Sequence, residues 1–70
     1  MNDYKTGQPA YMEFPGKNGY MIKGVYFVVS DDKYYIEIHD EETMQIISKR
    51  SIKTYETDRS RWPKECLPDN

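Results

Sequence analysis

The stretch Tyr20–His39, YMIKGVYFVVSDDKYYIEIH, decides how this chain is read. Two runs rich in β-branched and aromatic residues flank the polar tetrad Ser30-Asp31-Asp32-Lys33, a composition that predicts two strands joined by a turn. In the first run Met21, Val25, Phe27 and Val29 share one parity, and Ile22, Tyr26 and Val28 share the other. The second run alternates, with Tyr34, Ile36 and Ile38 on the expected inward parity. Tyr26 and Tyr35 then carry the parity opposite Phe27 and Ile36, and both rings are expected on the outer face. Gly24, inside the longer strand, predicts a bend or bulge that lets one strand serve two sheets.

Working outward, Tyr11-Met12-Glu13-Phe14 alternates and places Met12 and Phe14 on one face. Pro15-Gly16-Lys17-Asn18-Gly19 supplies the turn to the long strand, because proline presets φ and glycine or asparagine accepts positive φ. Past His39, Asp40-Glu41-Glu42-Thr43 reads as another turn. Met44–Ser48 is a fourth strand with Met44 and Ile46 expected inward. Lys49-Arg50-Ser51 has room for one tight 3₁₀ turn before Ser51–Tyr55, a last strand anchored by Ile52.

Seventy residues make one domain, and a chain of that size buries only about 60% of the surface it exposes when unfolded. Residues 1–9 form a polar, turn-rich lead-in, residues 10–56 carry the strands, and residues 57–70 form an irregular tail in which Pro63 and Pro68 oppose a helix. Five short strands with tight polar connections leave unpaired edges in an open sheet, which favours an all-β barrel. The order of these elements, from the strand ending at Phe14 through the kinked strand at Gly24 to the brief turn before Ile52, resembles an SH3-like barrel over residues 10–56. The acidic and aromatic signatures with which SH3 domains hold polyproline do not accompany that resemblance. In its tyrosine-, lysine- and aspartate-rich composition the chain also resembles short orphan proteins of bacteriophages, many of which bind and modulate a host protein; the resemblance implies a role of that kind.

Ten basic and twelve acidic side chains give a net charge of −2, which argues against a general nucleic-acid binder. The charge is uneven along the chain: residues 31–42 are mainly acidic and residues 49–64 mainly basic, a polarity that can steer a partner or simply keep turns solvated. A single cysteine, Cys66, suits a reducing compartment, and residues 1–20 carry no signal-peptide pattern, so the expected location is cytoplasmic, in a host if the source is a phage. No run approaches the roughly 20 apolar residues of a membrane span.

Catalysis is not expected. Cys66 lies between Glu65 and Leu67, acidic surroundings that disfavour a thiolate, and His39 is the only histidine available to serve it as a base. His39 with Asp40, Glu41 and Glu42 lacks the alternation of a calcium loop, and adjacent strand residues point to opposite faces, so no metal site is expected. No cofactor motif is present: Gly16 and Gly19 lack the following helix and the lysine-hydroxyl pair of a phosphate loop.

Seven tyrosines, two phenylalanines and one tryptophan exceed what so small a core requires, and tyrosine is favoured at interfaces. The residues expected to contact a partner are Tyr26, Tyr35, Lys53, Tyr55 and Trp62. For the Tyr26–Tyr35 pair, a binding patch and a purely cross-strand stabilising contact are equally consistent with parity. Trp62 is expected to dock with Leu67 over a barrel end, the other reading being a recognition arm with Arg59 and Arg61. A protein partner ranks first, because acidic neighbours such as Glu37 repel phosphate. Single-stranded nucleic acid stacked on tyrosines beside Lys23, Lys33 or Lys49–Lys53 ranks second, and an oligomerising structural subunit is a further reading.

Overall fold

The computed structural model describes residues 7–39 and 44–67. Five antiparallel strands form one sheet: β1 (Gln8–Pro15), β2 (Met21–Asp31), β3 (Tyr35–His39), β4 (Met44–Ser48) and β5 (Thr54–Glu56), in the spatial order β4-β3-β2-β1-β5. The chain is all-β, with 3₁₀ turns at Lys49–Ser51, Arg59–Arg61 and Lys64–Cys66. β1 begins at Gln8, so its first two residues come from the stretch read as a lead-in. The turn expected at Asp40–Thr43 lies outside the described residues. At the β1–β2 connection the Gly16 N–H donates to the Tyr20 carbonyl at 2.7 Å, and Gly19 takes φ +84°, a conformation that favours glycine.

Alternation sets the core. Ala10, Met12 and Phe14 of β1, Val28 of β2, Ile36 and Ile38 of β3 and Ile47 of β4 are buried together, with Ile22, Tyr26 and Ile52 packed against them. Three readings of parity are corrected by this arrangement. In β2 the inward set is Ile22, Tyr26 and Val28, while Met21 and Val29 are exposed. Tyr26 is therefore on the core side, its ring centroid 5.8 Å from that of Phe14, and not on the outer face. In β4, Ile47 is 7% exposed and Ile46 67%, because Ile47 lies opposite buried Ile36 and Ile46 opposite Glu37. Tyr34 precedes β3 and is exposed.

Gly24 does not interrupt the ladder either. The β1–β2 register runs unbroken from Gln8↔Val28 to Pro15↔Met21, with Gly24 opposite the fully buried Met12. The space a side chain at Gly24 would enter is bordered by the Tyr26 ring, whose Cε2 would lie 3.5 Å from a Cβ there. The irregularity falls later: β2 shifts register against β3 between Val28 and Ser30, so that Asp31 pairs with Ile36 and Ser30 with Glu37.

A second buried zone lies on the other face of β1, where Tyr11 is directly opposite Glu56 of β5. Trp62 is 8% exposed, and its indole N–H donates to the Glu56 carbonyl at 2.9 Å. The Tyr11 hydroxyl donates to Glu13, which also accepts from the Thr54 hydroxyl at 3.1 Å. The hydrogen bond to Glu13, with burial and the carboxylate's charge, pushes Tyr11 up to about 12, and the same bond holds Glu13 below its ordinary value.

Two expectations follow. Ile47→Ala should lower the unfolding free energy by about 2–5 kcal/mol, while Ile46→Ala should stay within about 0.5 kcal/mol, both read by urea denaturation. Because Tyr11 is raised in the folded state, its contribution to stability is complete below the unfolded value and is lost as pH rises through about 12. In an alkaline absorbance titration one tyrosine should ionise last, and Glu13→Gln should bring that midpoint down toward the ordinary 10.0.

Candidate functional site

The bulge in β2 builds the most distinctive surface of the molecule. Directly opposed residues of an antiparallel pair share a face. Pairing Asp31 with Ile36 therefore turns Asp31 toward the core-side end of the sheet. Lys49, in the 3₁₀ turn after β4, reaches Asp31 with Nζ–Oδ1 at 2.6 Å, and the Tyr55 hydroxyl of β5 donates to Asp31 Oδ2 at 3.5 Å. The Lys49 N–H also donates to the Tyr34 carbonyl at 2.9 Å. One carboxylate thus ties the end of β2 to the turn between the two edge strands and to β5.

Around this knot lie two adjoining hollows that share Lys49. One, of about 260 Å³, is lined by Ile36, Lys49, Ile52, Lys53 and Tyr55. The other, of about 290 Å³, is lined by Lys33, Tyr34, Tyr35, Ser48, Lys49 and Arg50. Tyr34 is 62% exposed and Tyr35 51%. Lys33 Nζ sits 5.5 Å from the centroid of the Tyr34 ring, within cation–π range.

The tyrosine pair is held from below. Asp32 Oδ1 accepts from the Tyr35 N–H at 2.8 Å and the Tyr34 N–H at 2.9 Å, the side-chain-to-backbone bonding that fixes an Asx-type turn. Those two bonds, first from Tyr35 and then from Tyr34, hold the Asp32 carboxyl below its ordinary value, and the Lys49 charge adds to the effect. Partial burial, followed by the charge of Asp31 and the bond to it, raises Tyr55, against the opposing charge of Lys49. Tyr55 therefore stays a neutral hydrogen-bond donor through the physiological range.

Of the five residues expected to contact a partner, Tyr35, Lys53 and Tyr55 line this surface. Tyr26 packs on Phe14, and Trp62 is buried beside Glu56, so neither belongs to it. Lys33, Tyr34, Lys49 and Arg50 join it and were absent from the expected set. The signal for them was present: an antiparallel β3–β4 hairpin sets the start of β3 beside the end of β4, with Tyr35 opposite Ser48.

The surface offers cations, phenol rings and one buttressed carboxylate, which suits binding by charge and stacking. His39 lies elsewhere, its buried Nε2 3.6 Å from Glu37 and without a hydrogen-bond partner among the described residues, and Cys66 ends the last 3₁₀ turn, its N–H donating to the Pro63 carbonyl. Among the described residues no group of three or more His, Cys, Asp and Glu side chains is placed to hold a metal ion, and no helix is long and apolar enough to cross a membrane. No family model, characterised protein or solved structure matches the chain.

Asp32 is depressed in the folded state, so its contribution is present above the ordinary carboxylate value of 3.8 and is lost as pH falls through its lower folded value. The amide protons of Tyr34 and Tyr35 should keep their hydrogen-bonded NMR shifts down to that ordinary value and lose them only below it. Asp32→Ala should remove those shifts at every pH.

Proposed function

We propose that this chain is a small SH3-like barrel acting as a non-catalytic protein-binding module, and that its tyrosine–lysine end holds an acidic, extended segment of the partner. The observation that carries this reading is the gathering of Tyr34, Tyr35 and Tyr55 with Lys33, Lys49, Arg50 and Lys53 around two adjoining hollows. Four of the chain's ten basic residues converge there although the net charge is −2. The barrel reading is supported by the return of β5 to β1, by the 3₁₀ turn that precedes β5, and by the bonds that Lys49 and Tyr55 make across the sheet's ends to Asp31.

Charge chooses between partner classes. A short acidic segment meets only the basic end, with rings to pack on and ammonium groups to pair with. A long polyanion would also run over the acidic remainder, including Glu37, Glu56 and Asp58, and lose affinity there. Single-stranded nucleic acid remains the second reading, favoured by solvent-exposed tyrosines beside lysines, the combination on which bases stack. A role in modulating a host factor rests on the compositional resemblance to bacteriophage orphan proteins.

The test is a pair of titrations with the intact chain: one against a fluorescent glutamate- and aspartate-rich peptide, one against labelled oligothymidylate. The peptide should bind, and Tyr34→Ala with Tyr35→Ala should weaken it at least tenfold, corresponding to about 1.4 kcal/mol, while Trp62 emission and cooperative unfolding are unchanged. Binding of oligothymidylate alone, with a steep salt slope, would replace the protein-binding reading. Peptide binding indifferent to the tyrosine substitutions would displace the site.

A further inference from the structure

The two adjoining hollows share Lys49 but differ in chemistry. One is cationic: of its basic residues, Lys33 and Arg50 make no ion pair among the described residues. Ser48 adds a hydroxyl to its lining. The other is largely apolar. Ile36, 1% exposed, Ile52, packed against the core, and the Tyr55 ring line it together with Lys49 and Lys53.

The two lysines do not turn the apolar hollow into a seat for an anion. Asp31 already holds Lys49, with Nζ–Oδ1 at 2.6 Å, and accepts from the Tyr55 hydroxyl. A second carboxylate brought to Lys49 would stand beside the charge of Asp31 and be repelled by it. Lys53 is exposed, and its charge helps hold Glu13 below its ordinary value. Lysine stems pack along apolar surface while their ammonium heads stay in water, so both lysines can border an uncharged side chain.

Taking this end as the seat of an acidic extended segment, a reading on which the inference rests, we propose that the segment has two parts. Its acidic residues occupy the hollow of Lys33 and Arg50, and an apolar side chain such as leucine occupies the hollow of Ile36, Ile52 and Tyr55. Asp31 sets the division, because the carboxylate it places on Lys49 takes the shared cation out of the partner's reach. Pairing with exposed cations contributes little by itself and is screened by salt. Burial of an apolar side chain adds affinity that salt does not screen.

The test is a titration of the intact chain with fluorescent peptides that share an acidic run and carry leucine, serine or glutamate at one further position, which is moved along both sides of the run. At one placement the leucine peptide should bind about tenfold more tightly than its serine and glutamate counterparts. That advantage should persist as added salt weakens all of them. In NMR spectra of the chain, the same leucine peptide should shift the methyl signals of Ile36 and Ile52, and the serine peptide should leave them in place. Lys33→Gln with Arg50→Gln should weaken the peptides alike. Asp31→Asn, with unchanged Trp62 emission as the check on folding, should free Lys49 and bring the glutamate peptide level with the leucine peptide. Equal binding of leucine, serine and glutamate peptides at every placement overturns the two-part segment and leaves the acidic-segment reading standing, whereas failure of all of them to bind overturns both. A leucine advantage that leaves the Ile36 and Ile52 methyl signals unmoved overturns the placement of the apolar side chain, and one that Asp31→Asn does not change overturns the role of Asp31.

Discussion

One additional residue in β2, between Val28 and Ser30, governs the end of the molecule where the candidate site lies. Before it, even-numbered side chains of β2 face the core; beyond it, Asp31 takes the core-side position opposite Ile36. The Asp31 carboxylate stays partly in solvent there, and Lys49 and Tyr55 meet it from two elements distant in sequence. Were the ladder continued in register, Asp31 would point to the opposite face, and the turn after β4 would lose its tie to the end of β2. The bulge is thus a positional device, converting a surface aspartate into the point at which β2, β5 and the 3₁₀ turn meet.

A chain this short cannot rely on one deep core, and the structure divides its apolar burial between two places. The larger cluster, from Ala10 to Ile47, is a sheet face folded over its own side chains. The smaller zone uses the tail: Trp62 is buried against β5, and Tyr11, on the face of β1 opposite the core cluster, is buried too. Each polar atom named there has a partner, the Tyr11 hydroxyl in Glu13, the Thr54 hydroxyl in the same carboxylate and the indole N–H in the Glu56 carbonyl. That satisfaction is what allows Tyr and Trp to be buried near a sheet edge without a desolvation penalty. It also removes β5 as a pairing edge and leaves β4 as the only uncovered one among the described strands.

The same economy explains why the exposed tyrosines are concentrated. Tyr34 and Tyr35 sit where the chain turns into β3, their backbone donors held by Asp32. Their rings therefore stand on a held backbone while remaining in solvent, so little backbone freedom is left to lose on binding. The cations around them arrive from the β2–β3 turn and from the segment between β4 and β5, which the β3–β4 hairpin brings alongside.

Much of this was legible in the residues themselves. Five strands, the Pro15–Gly19 turn, a 3₁₀ turn at Lys49–Ser51 and the inward positions Met12, Phe14, Ile36 and Ile38 follow from alternation, β-propensity and turn chemistry, which are local and act on each segment independently. Parity failed where a strand has apolar residues on both faces. In β2 the more apolar set, Met21, Val25, Phe27 and Val29, is the outer one, and in β4 adjacent Ile46 and Ile47 are equivalent until Ile36 across the ladder selects Ile47. The location of the bulge, at Val28–Ser30 and not at Gly24, depends on how β2 meets β3, because a register shift is a property of two strands and not of one. The composition of the candidate site, tyrosine with lysine, was determined by the sequence; the choice of Tyr34 and Tyr35 over Tyr26, and of Lys49 and Arg50 over Trp62, belongs to the tertiary structure, since only packing decides which aromatic ring the core takes and which it leaves in water.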